Sequence, residues 1–166
     1  MLQNENFSRK SQLYGQIFVY VLTIILISLI LVYGYKSIQD FKNRAEQVAC
    51  FKFKNDLQNT VESALSDYGI IKRKDIQLCN NYNMVCFVET YEIINLPNDI
   101  DPIIKDSIKS NTGRNVFLVK NIARESFYAG KISVEPEDVL CINATNNQIT
   151  LRFEGFGNHV LLSEWK

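Results

Sequence analysis

The four cysteines are the residues of this chain whose chemistry is easiest to specify. They are Cys50, Cys79, Cys86 and Cys141. An even number of cysteines in a small domain is typical of proteins that fold in an oxidising compartment, where thiols pair as disulfides. Four buried free thiols are the alternative that the sequence leaves open. A zinc site is disfavoured, because no two cysteines have the two-residue spacing of a zinc knuckle and the chain has one histidine, His159.

Local spacing favours one of the three disulfide pairings that four cysteines allow. Cys79 and Cys86 flank residues 80–83, Asn-Asn-Tyr-Asn, a turn-rich sequence that is predicted to close a β-hairpin. We therefore expect a disulfide between Cys79 and Cys86. Cys50 would then pair with Cys141 and attach a helix to a sheet.

No group of residues has the spacing of a catalytic site. The chain contains no glycine-rich phosphate loop and no Gly-x-Ser-x-Gly motif, and residues 155–157, Gly-Phe-Gly, are too short for a nucleotide-binding fingerprint. His159 has no predictable partner for acid–base chemistry. Residues 135–138, Glu-Pro-Glu-Asp, are better explained as an acidic turn than as a cation site. The sequence therefore predicts a protein that is not an enzyme and has no catalytic residue, cofactor or metal.

One tripeptide matches a modification motif. Asn143-Ala144-Thr145 is an acceptor sequence for N-glycosylation, a modification that takes place outside the cytoplasm. Such tripeptides arise often by chance in an asparagine-rich chain, and Asn143 is a candidate glycosylation site.

The charge balance argues against a nucleic-acid partner. The chain has 18 basic and 18 acidic residues, which gives a formal net charge of zero. A global field that would attract nucleic acid is therefore not expected. Residues 72–74, Lys-Arg-Lys, form the longest basic run and are predicted to lie in a solvated turn.

All of these residues follow one apolar segment, residues 16–35, which contains no charged residue and no proline. About 20 apolar residues in a helix cover the ~30 Å hydrocarbon core of a bilayer. Thr23 and Ser28 can donate hydrogen bonds back to helix carbonyls. Aromatic residues lie near both ends, as is typical of membrane interfaces: Tyr14, Phe18, Tyr20, Tyr33 and Tyr35. We predict one membrane-spanning helix.

The orientation of this helix is predicted from two opposing patterns. Arg9 and Lys10 precede it, whereas Lys36, Lys42 and Arg44 follow it, so positive-charge counting slightly disfavours export of the following domain. The cysteines and the glycosylation motif favour export. The apolar segment is longer than a secretory signal core and no Ala-x-Ala motif follows it, which favours a retained anchor. We expect the N-terminus in the cytoplasm and the C-terminal domain on the outer side of the cell membrane.

The helix is predicted to continue beyond the bilayer. No proline or glycine lies between Tyr35 and Tyr68, and Gly69 is a suitable C-terminal cap. Apolar residues recur at steps of three or four, which predicts one stripe on an amphipathic helix: Ile38, Phe41, Ala45, Ala49, Phe53, Leu57, Val61, Leu65 and Tyr68. A single helix of about 53 residues from Gln16 to Tyr68 is therefore expected.

The rest of the chain has the composition of strands. Besides the hairpin of residues 75–79 and 84–90, we expect strands at 115–120, at 126–134, at 140–153 with a break at Asn146-Asn147, and an edge strand at 158–165. The sequence therefore predicts an α+β fold. Its long N-terminal helix, first transmembrane and then amphipathic, packs on one face of an antiparallel β-sheet and leaves the other face wet.

A short helix is expected between the hairpin and the later strands. Asp101 is placed to cap it and Pro102 to occupy its first position. Ile103, Ile104 and Ile108 would be its buried residues. A loop of residues 95–102 would precede it.

The order of these segments resembles that of archaeal type IV pilin-like proteins, which carry a class III signal peptide. The shared order is a basic tail, the Gly15-Gln16 junction, an apolar helix, an amphipathic continuation and a sheet. The resemblance implies cleavage between Gly15 and Gln16 and side-by-side packing of the mature helices. The chain departs from the pattern at Lys10, five residues upstream of Gly15, and at Tyr20, where many members have glutamate.

The soluble part resembles uncharacterised archaeal membrane-anchored proteins in residues 85–88, 102–107 and 115–119. That resemblance implies no activity.

Four segments are expected: a basic tail or leader at 1–15, a transmembrane helix at 16–35, its amphipathic continuation at 36–69 and a β-rich extracytoplasmic domain at 70–166. The leading hypothesis is a pilin-like, single-pass structural subunit of a cell-surface filament or secretion-type assembly. Its partners would be the lipid bilayer and other pilin-like subunits or copies of itself. The alternative is a monomeric anchored binding or accessory protein of unknown ligand.

Overall fold

A computed structural model describes residues 5–79, 82–90, 96–97 and 99–165 of the chain, with side chains from residue 16 onward. The chain divides into two compact units, residues 1–45 and 46–166. Helix α1 (Glu5–Ser66) begins in the first unit and ends in the second. It has 62 residues and is longer than predicted, because it begins before Gln16.

The second unit contains the end of α1, one short helix and, among the residues described, eight strands. In chain order these elements are β1 (Ile71–Gln77), β2 (Met84–Val88), α2 (Pro102–Lys109), β3 (Val116–Val119), β4 (Ala123–Phe127), β5 (Ile132–Val134), β6 (Val139–Asn143), β7 (Gln148–Gly155) and β8 (Val160–Glu164).

The strands form two sheets of four rather than the single sheet that was predicted. The first sheet has the order β1-β7-β8-β5 and the second has the order β4-β3-β2-β6. Neighbouring strands are antiparallel, except that β5 and β8 are parallel. The α+β class, with a long N-terminal helix and antiparallel-rich sheets, is confirmed. Strand β8 is not the predicted edge strand, because it lies between β7 and β5.

The predicted hairpin between residues 75–79 and 84–90 is wrong. Strand β1 pairs with β7, so that Ile76 lies opposite Ile149. Strand β2 pairs instead with β3 and β6 in the second sheet. The intervening chain therefore leaves one sheet and enters the other, and Asn80 and Asn81 of the predicted turn lie outside the described residues.

The predicted strand at residues 126–134 is divided between the two sheets. Strand β4 ends at Phe127 and β5 begins at Ile132. Gly130 lies between them with a φ of +119°, and a β-carbon there would lie 2.9 Å from Cγ1 of Val61. Only glycine adopts this conformation without penalty and allows the helix to approach so closely. The chain changes sheets at this point because the backbone can turn there.

The predicted break at Asn146-Asn147 is confirmed. Both residues have positive φ angles, 50° and 62°. Thr145 and Gln148 exchange backbone hydrogen bonds of 2.9 and 3.0 Å on either side of them. Asparagine tolerates this left-handed conformation better than most residues, so the sequence itself specifies the turn between β6 and β7.

The main core is shared by the end of α1 and both sheets. The helix contributes Phe53, Leu57, Val61 and Ala64, each at most 2% exposed. The sheets contribute the residues that alternate inward along their strands, among them Ile76, Val85, Phe87, Leu118, Ile132, Ile149, Leu151, Phe153, Val160 and Leu162.

The second sheet is covered on both faces, so the predicted wet face is wrong for this sheet. A second apolar cluster on its other face includes Val88 and Phe117 of the sheet and Ile104 of α2. Strand β3 is accordingly buried at all four positions. A strand that is covered on both faces is continuously apolar rather than alternating.

Helix α2 begins as predicted. Oδ1 of Asp101 accepts a hydrogen bond of 2.8 Å from the Ile103 backbone N–H, and Pro102 occupies the first turn. Oδ2 of Asp101 accepts a second one of 2.7 Å from Ala123 at the start of β4. The burial prediction was correct for Ile104 but wrong for Ile103, which is 46% exposed.

The single apolar stripe that was predicted along α1 is wrong. Ile38, Phe41 and Tyr68 are 64%, 73% and 76% exposed, whereas Phe53 and Leu57 are buried. Successive steps of four residues each advance by about 40° beyond a full turn, since a helix has 3.6 residues per turn. The predicted series therefore rotates around the helix and cannot remain on one face. Gly69 has the φ of +73° expected of a cap, although α1 ends earlier, at Ser66.

Candidate functional site

The first surface of functional interest is the apolar part of α1. The large apolar side chains of residues 16–35 are 43–70% exposed. This is the one helix among the described residues that is long and apolar enough to cross a membrane by length and composition. Thr23 and Ser28 donate hydrogen bonds of 2.8 Å to the carbonyls of Tyr20 and Ile24, as expected. Their hydroxyl groups are thus satisfied without water, as an apolar solvent requires.

Further apolar residues of α1 are exposed beyond residue 35. In the first unit these are Ile38 and Phe41, and in the second unit they are Val48 and Phe51, which are 65% and 66% exposed. We call these four residues the outer apolar residues. Sequence reasoning missed Val48 and Phe51, because it followed steps of four toward the core. The spacing that could have identified them runs in steps of three, four, three and three through Ile38, Phe41, Ala45, Val48 and Phe51.

Two disulfides lie in the second unit, and the predicted pairing is wrong. Cys50 of α1 pairs with Cys79, which follows β1, over a Cα–Cα distance of 4.8 Å. Cys86 and Cys141 lie directly opposite each other on β2 and β6 and form the other disulfide. The pairing of Cys79 with Cys86 depended on a hairpin that does not exist. Two disulfides fit a domain outside the reducing cytoplasm.

The remaining predicted residues are dispersed. Gly15 and Gln16 both lie inside helix α1. Asn143 is the last residue of β6 and is exposed. The ring of His159 stacks on that of Phe156 with 5.1 Å between centroids, and its Nδ1 lies 2.7 Å from Oδ1 of Asn158. Within the part of the chain that the structure describes, no three His, Cys, Asp or Glu residues are grouped to hold a metal ion.

A polar groove lies beside the basic run, which belongs to strand β1 and not to the predicted turn. The groove has a volume of about 550 Å³. Lys72 pairs with Asp67, and Arg73 lies 3.7 Å from Asp75, so these two positive charges are largely balanced by neighbouring carboxylates. Its lining residues come from α1 and β1: Asp56, Asn59, Thr60, Ser63, Lys72, Arg73 and Lys74.

Asn115 is a buried polar residue that sequence reasoning missed. It is 3% exposed. Its Nδ2 donates to Thr90 Oγ1 at 3.0 Å and to the Gly130 carbonyl at 2.6 Å, and its Oδ1 accepts from the Ala129 N–H at 2.9 Å. This side chain holds the segment between β4 and β5 where the chain changes sheets. No local pattern could have identified it, because its partners are set by the topology of the sheets.

Tyr82 is the second such residue. Its hydroxyl group donates a hydrogen bond of 2.8 Å to Oε1 of Glu125 on β4. Burial of the phenol, followed by the hydrogen bond to Glu125 and the charge of that carboxylate, raises the pKa of Tyr82 to about 12. All three effects favour the neutral phenol over the phenolate.

Comparison with known proteins identifies no relative of this chain. No protein family, no curated protein and no solved structure matches the chain.

Proposed function

We propose that this chain is a single-pass, membrane-anchored structural subunit that assembles with copies of itself or with related subunits through helix α1. One observation carries the proposal. The same helix exposes its apolar side chains over residues 16–35 and contributes Phe53, Leu57 and Val61 to the core of the second unit. Type IV pilin-like proteins, which the sequence resembles, use a helix of this kind to anchor, to display a domain and to assemble.

The outer apolar residues support assembly rather than anchoring alone. They continue beyond the 20 or so residues that a bilayer covers. Complete burial of one such side chain stabilises an interface by roughly 1.5–3 kcal/mol. We expect neighbouring subunits to cover Ile38 and Phe41 of the first unit and, separately, Val48 and Phe51 of the second unit. Their exposure of 64–73% leaves these side chains available for such packing.

The proposed mechanism consists of membrane anchoring and packing between subunits. Residues 16–35 hold each subunit in the membrane, and α1 packs against α1 of a neighbour. The second unit is displayed outside the cytoplasm, where the two disulfides keep it folded. No bond is made or broken in this function after the disulfides have formed.

Crosslinking in the native membrane tests this proposal. A lysine-reactive crosslinker is expected to trap multimers of the wild-type chain. The double variant Phe41→Ser/Phe51→Ser should reduce the multimer yield at least fivefold, because it removes two outer apolar side chains. The matched control is Asn43→Ser/Gln47→Ser, which alters two exposed polar residues of the same helix and leaves all lysines in place. Wild-type protein that is trapped only as monomer, or an equal loss in the control, would refute assembly.

A second candidate function is a monomeric anchored binding protein. The observation that favours it is the polar groove between α1 and β1. It predicts a wild-type chain that stays monomeric under crosslinking and carries a small polar ligand when purified. The variant Lys74→Ala would then lower the amount of that ligand, whereas Phe41→Ser/Phe51→Ser would leave it unchanged.

A further inference from the structure

The acceptor tripeptide Asn143-Ala144-Thr145 is presented on the surface of the second unit. Asn143 ends strand β6, which is an edge strand of the second sheet. Asn143 and Thr145 are both exposed, whereas Ala144 between them is half-buried. In an extended chain, residues two apart point to the same side. The amide and the hydroxyl that a glycosyltransferase must recognise together therefore face solvent on one side of the backbone.

The backbone of this tripeptide is held while its two polar side chains remain available. The Ala144 N–H donates to the Asn83 carbonyl at 2.7 Å, and Thr145 pairs with Gln148 across the turn. Among the described residues, no hydrogen bond or ion pair engages the side chain of Asn143 or Thr145. An acceptor amide with no intramolecular partner loses no hydrogen bond when it enters a transferase, so reaction there carries no folding penalty.

We propose that Asn143 is an N-glycosylation site, modified by transfer from a glycan carried on a polyprenyl phosphate. The bond that forms joins Nδ2 of Asn143 to the anomeric carbon of the glycan. The bond that breaks joins that carbon to the phosphate oxygen, and the lipid phosphate leaves with the electron pair. The amide gives up one proton to the transferase. The product is a bulky, polar group at the end of β6.

The chain contains a second acceptor tripeptide that serves as a control for modification of Asn143. This tripeptide, Asn6-Phe7-Ser8, precedes the apolar segment, whereas Asn143 follows it. If the chain crosses the membrane once, the two tripeptides lie on opposite sides, and lipid-linked glycans are transferred on the non-cytoplasmic side alone. Modification of Asn143 and not of Asn6 is therefore the expected pattern. This inference requires one membrane crossing, but it does not require assembly of the subunits.

Mass spectrometry of the full chain from its native membrane tests the proposal. A mass excess is expected on the peptide that contains Asn143, and any peptide that contains Asn6 should carry none. Asn143→Gln and Thr145→Val should both abolish the excess. Thr145→Ser should retain it, because serine preserves the acceptor motif. This last variant distinguishes loss of the motif from a change in folding.

Every outcome bears on the proposal. An unmodified Asn143, or a glycan on Asn6, would overturn it. If Asn143 is unmodified but both disulfides are present, the outward location of the domain stands and only glycosylation fails. If Asn143 is unmodified and the thiols are free, the outward location fails as well. Assembly is measured separately by crosslinking, so glycosylation and assembly can fail independently.

Discussion

At the scale of single residues, the polar groups that matter most are those whose partners come from distant parts of the chain. Asn115 is buried and forms three side-chain hydrogen bonds where the chain passes from one sheet to the other. Tyr82 is 9% exposed and donates to Glu125, 43 residues away in sequence. In both cases the chemistry of the side chain is defined by the fold around it rather than by its sequence neighbours.

The raised pKa of Tyr82 predicts a pH dependence of stability. The phenol is neutral in the folded protein up to a pKa of about 12, whereas in the unfolded chain it ionises near 10. Its contribution is therefore complete below pH 10 and is lost as the pH rises from 10 toward 12. At about 1.4 kcal/mol per unit of pKa, the loss is on the order of 2 kcal/mol.

The measurement is the free energy of unfolding in urea for the full chain in detergent at pH 8 and pH 11.5. Between pH 8 and pH 11.5, the free energy of unfolding should fall by about 2 kcal/mol less in Tyr82→Phe than in wild type. Tyr128→Phe, which removes an exposed phenol, controls for the removal of one tyrosine hydroxyl group. An equal decrease in wild type and Tyr82→Phe would show that Tyr82 contributes nothing to the pH dependence.

At the scale of elements, α1 has different neighbours along its length. Its first part exposes apolar side chains, while its last turns pack into the core beside β7. The backbone of β7 approaches the end of the helix so closely at Gly155 that a β-carbon there would overlap the Ala64 carbonyl oxygen and lie 2.7 Å from that of Asp67. Gly69 also donates to the Gly155 carbonyl at 2.8 Å, so this contact joins the end of the helix to the sheet.

Gly155→Ala is therefore expected to destabilise the second unit strongly. The added methyl group would meet backbone atoms, which cannot rotate away, so we expect a loss of about 3 kcal/mol, at the upper end of overpacking costs. Thermal unfolding monitored by the fluorescence of Trp165, the single tryptophan, measures this loss. Gly34→Ala is the matched control, because no atom lies within 4 Å of a β-carbon built there. Equal midpoints for the two variants would contradict the close approach of β7 and α1.

At the scale of the whole molecule, the two disulfides stabilise the second unit through covalent crosslinks. One disulfide connects α1 to the chain between the sheets and closes a separation of 29 residues. The other connects two neighbouring strands of the second sheet and closes a separation of 55 residues. Both constrain the unfolded chain, and the longer closure constrains it slightly more.

The double variants Cys50→Ala/Cys79→Ala and Cys86→Ala/Cys141→Ala should each lower the free energy of unfolding. Loop-closure entropy predicts losses of about 3.6 and about 4.2 kcal/mol. Non-reducing digestion of the wild-type chain should yield the Cys50–Cys79 and Cys86–Cys141 linked peptides. A Cys79–Cys86 linked peptide would contradict the sheet topology, because those residues would then have to lie together. Reductant should destabilise each double variant by the amount that its remaining disulfide contributes.

The sequence alone determined the features that depend on neighbouring residues. Composition identified the apolar segment of residues 16–35 and the α+β class. Local backbone preferences identified the cap at Asp101 and Pro102, the positive φ at Gly69 and the turn at Asn146-Asn147. The cap, the positive φ and the turn were predicted correctly because each depends on residues within a few positions of one another, whose conformational preferences act before any tertiary contact forms.

Only the tertiary structure decided the strand partners, and with them the disulfides. Ile76 pairs with Ile149, which is 73 positions away, and Cys86 lies opposite Cys141 rather than near Cys79. The alternation of apolar residues predicts that a segment is a strand, but it does not predict which strand that segment pairs with. That choice depends on which arrangement buries the core side chains of α1 and of both sheets together, and this is a property of the whole second unit.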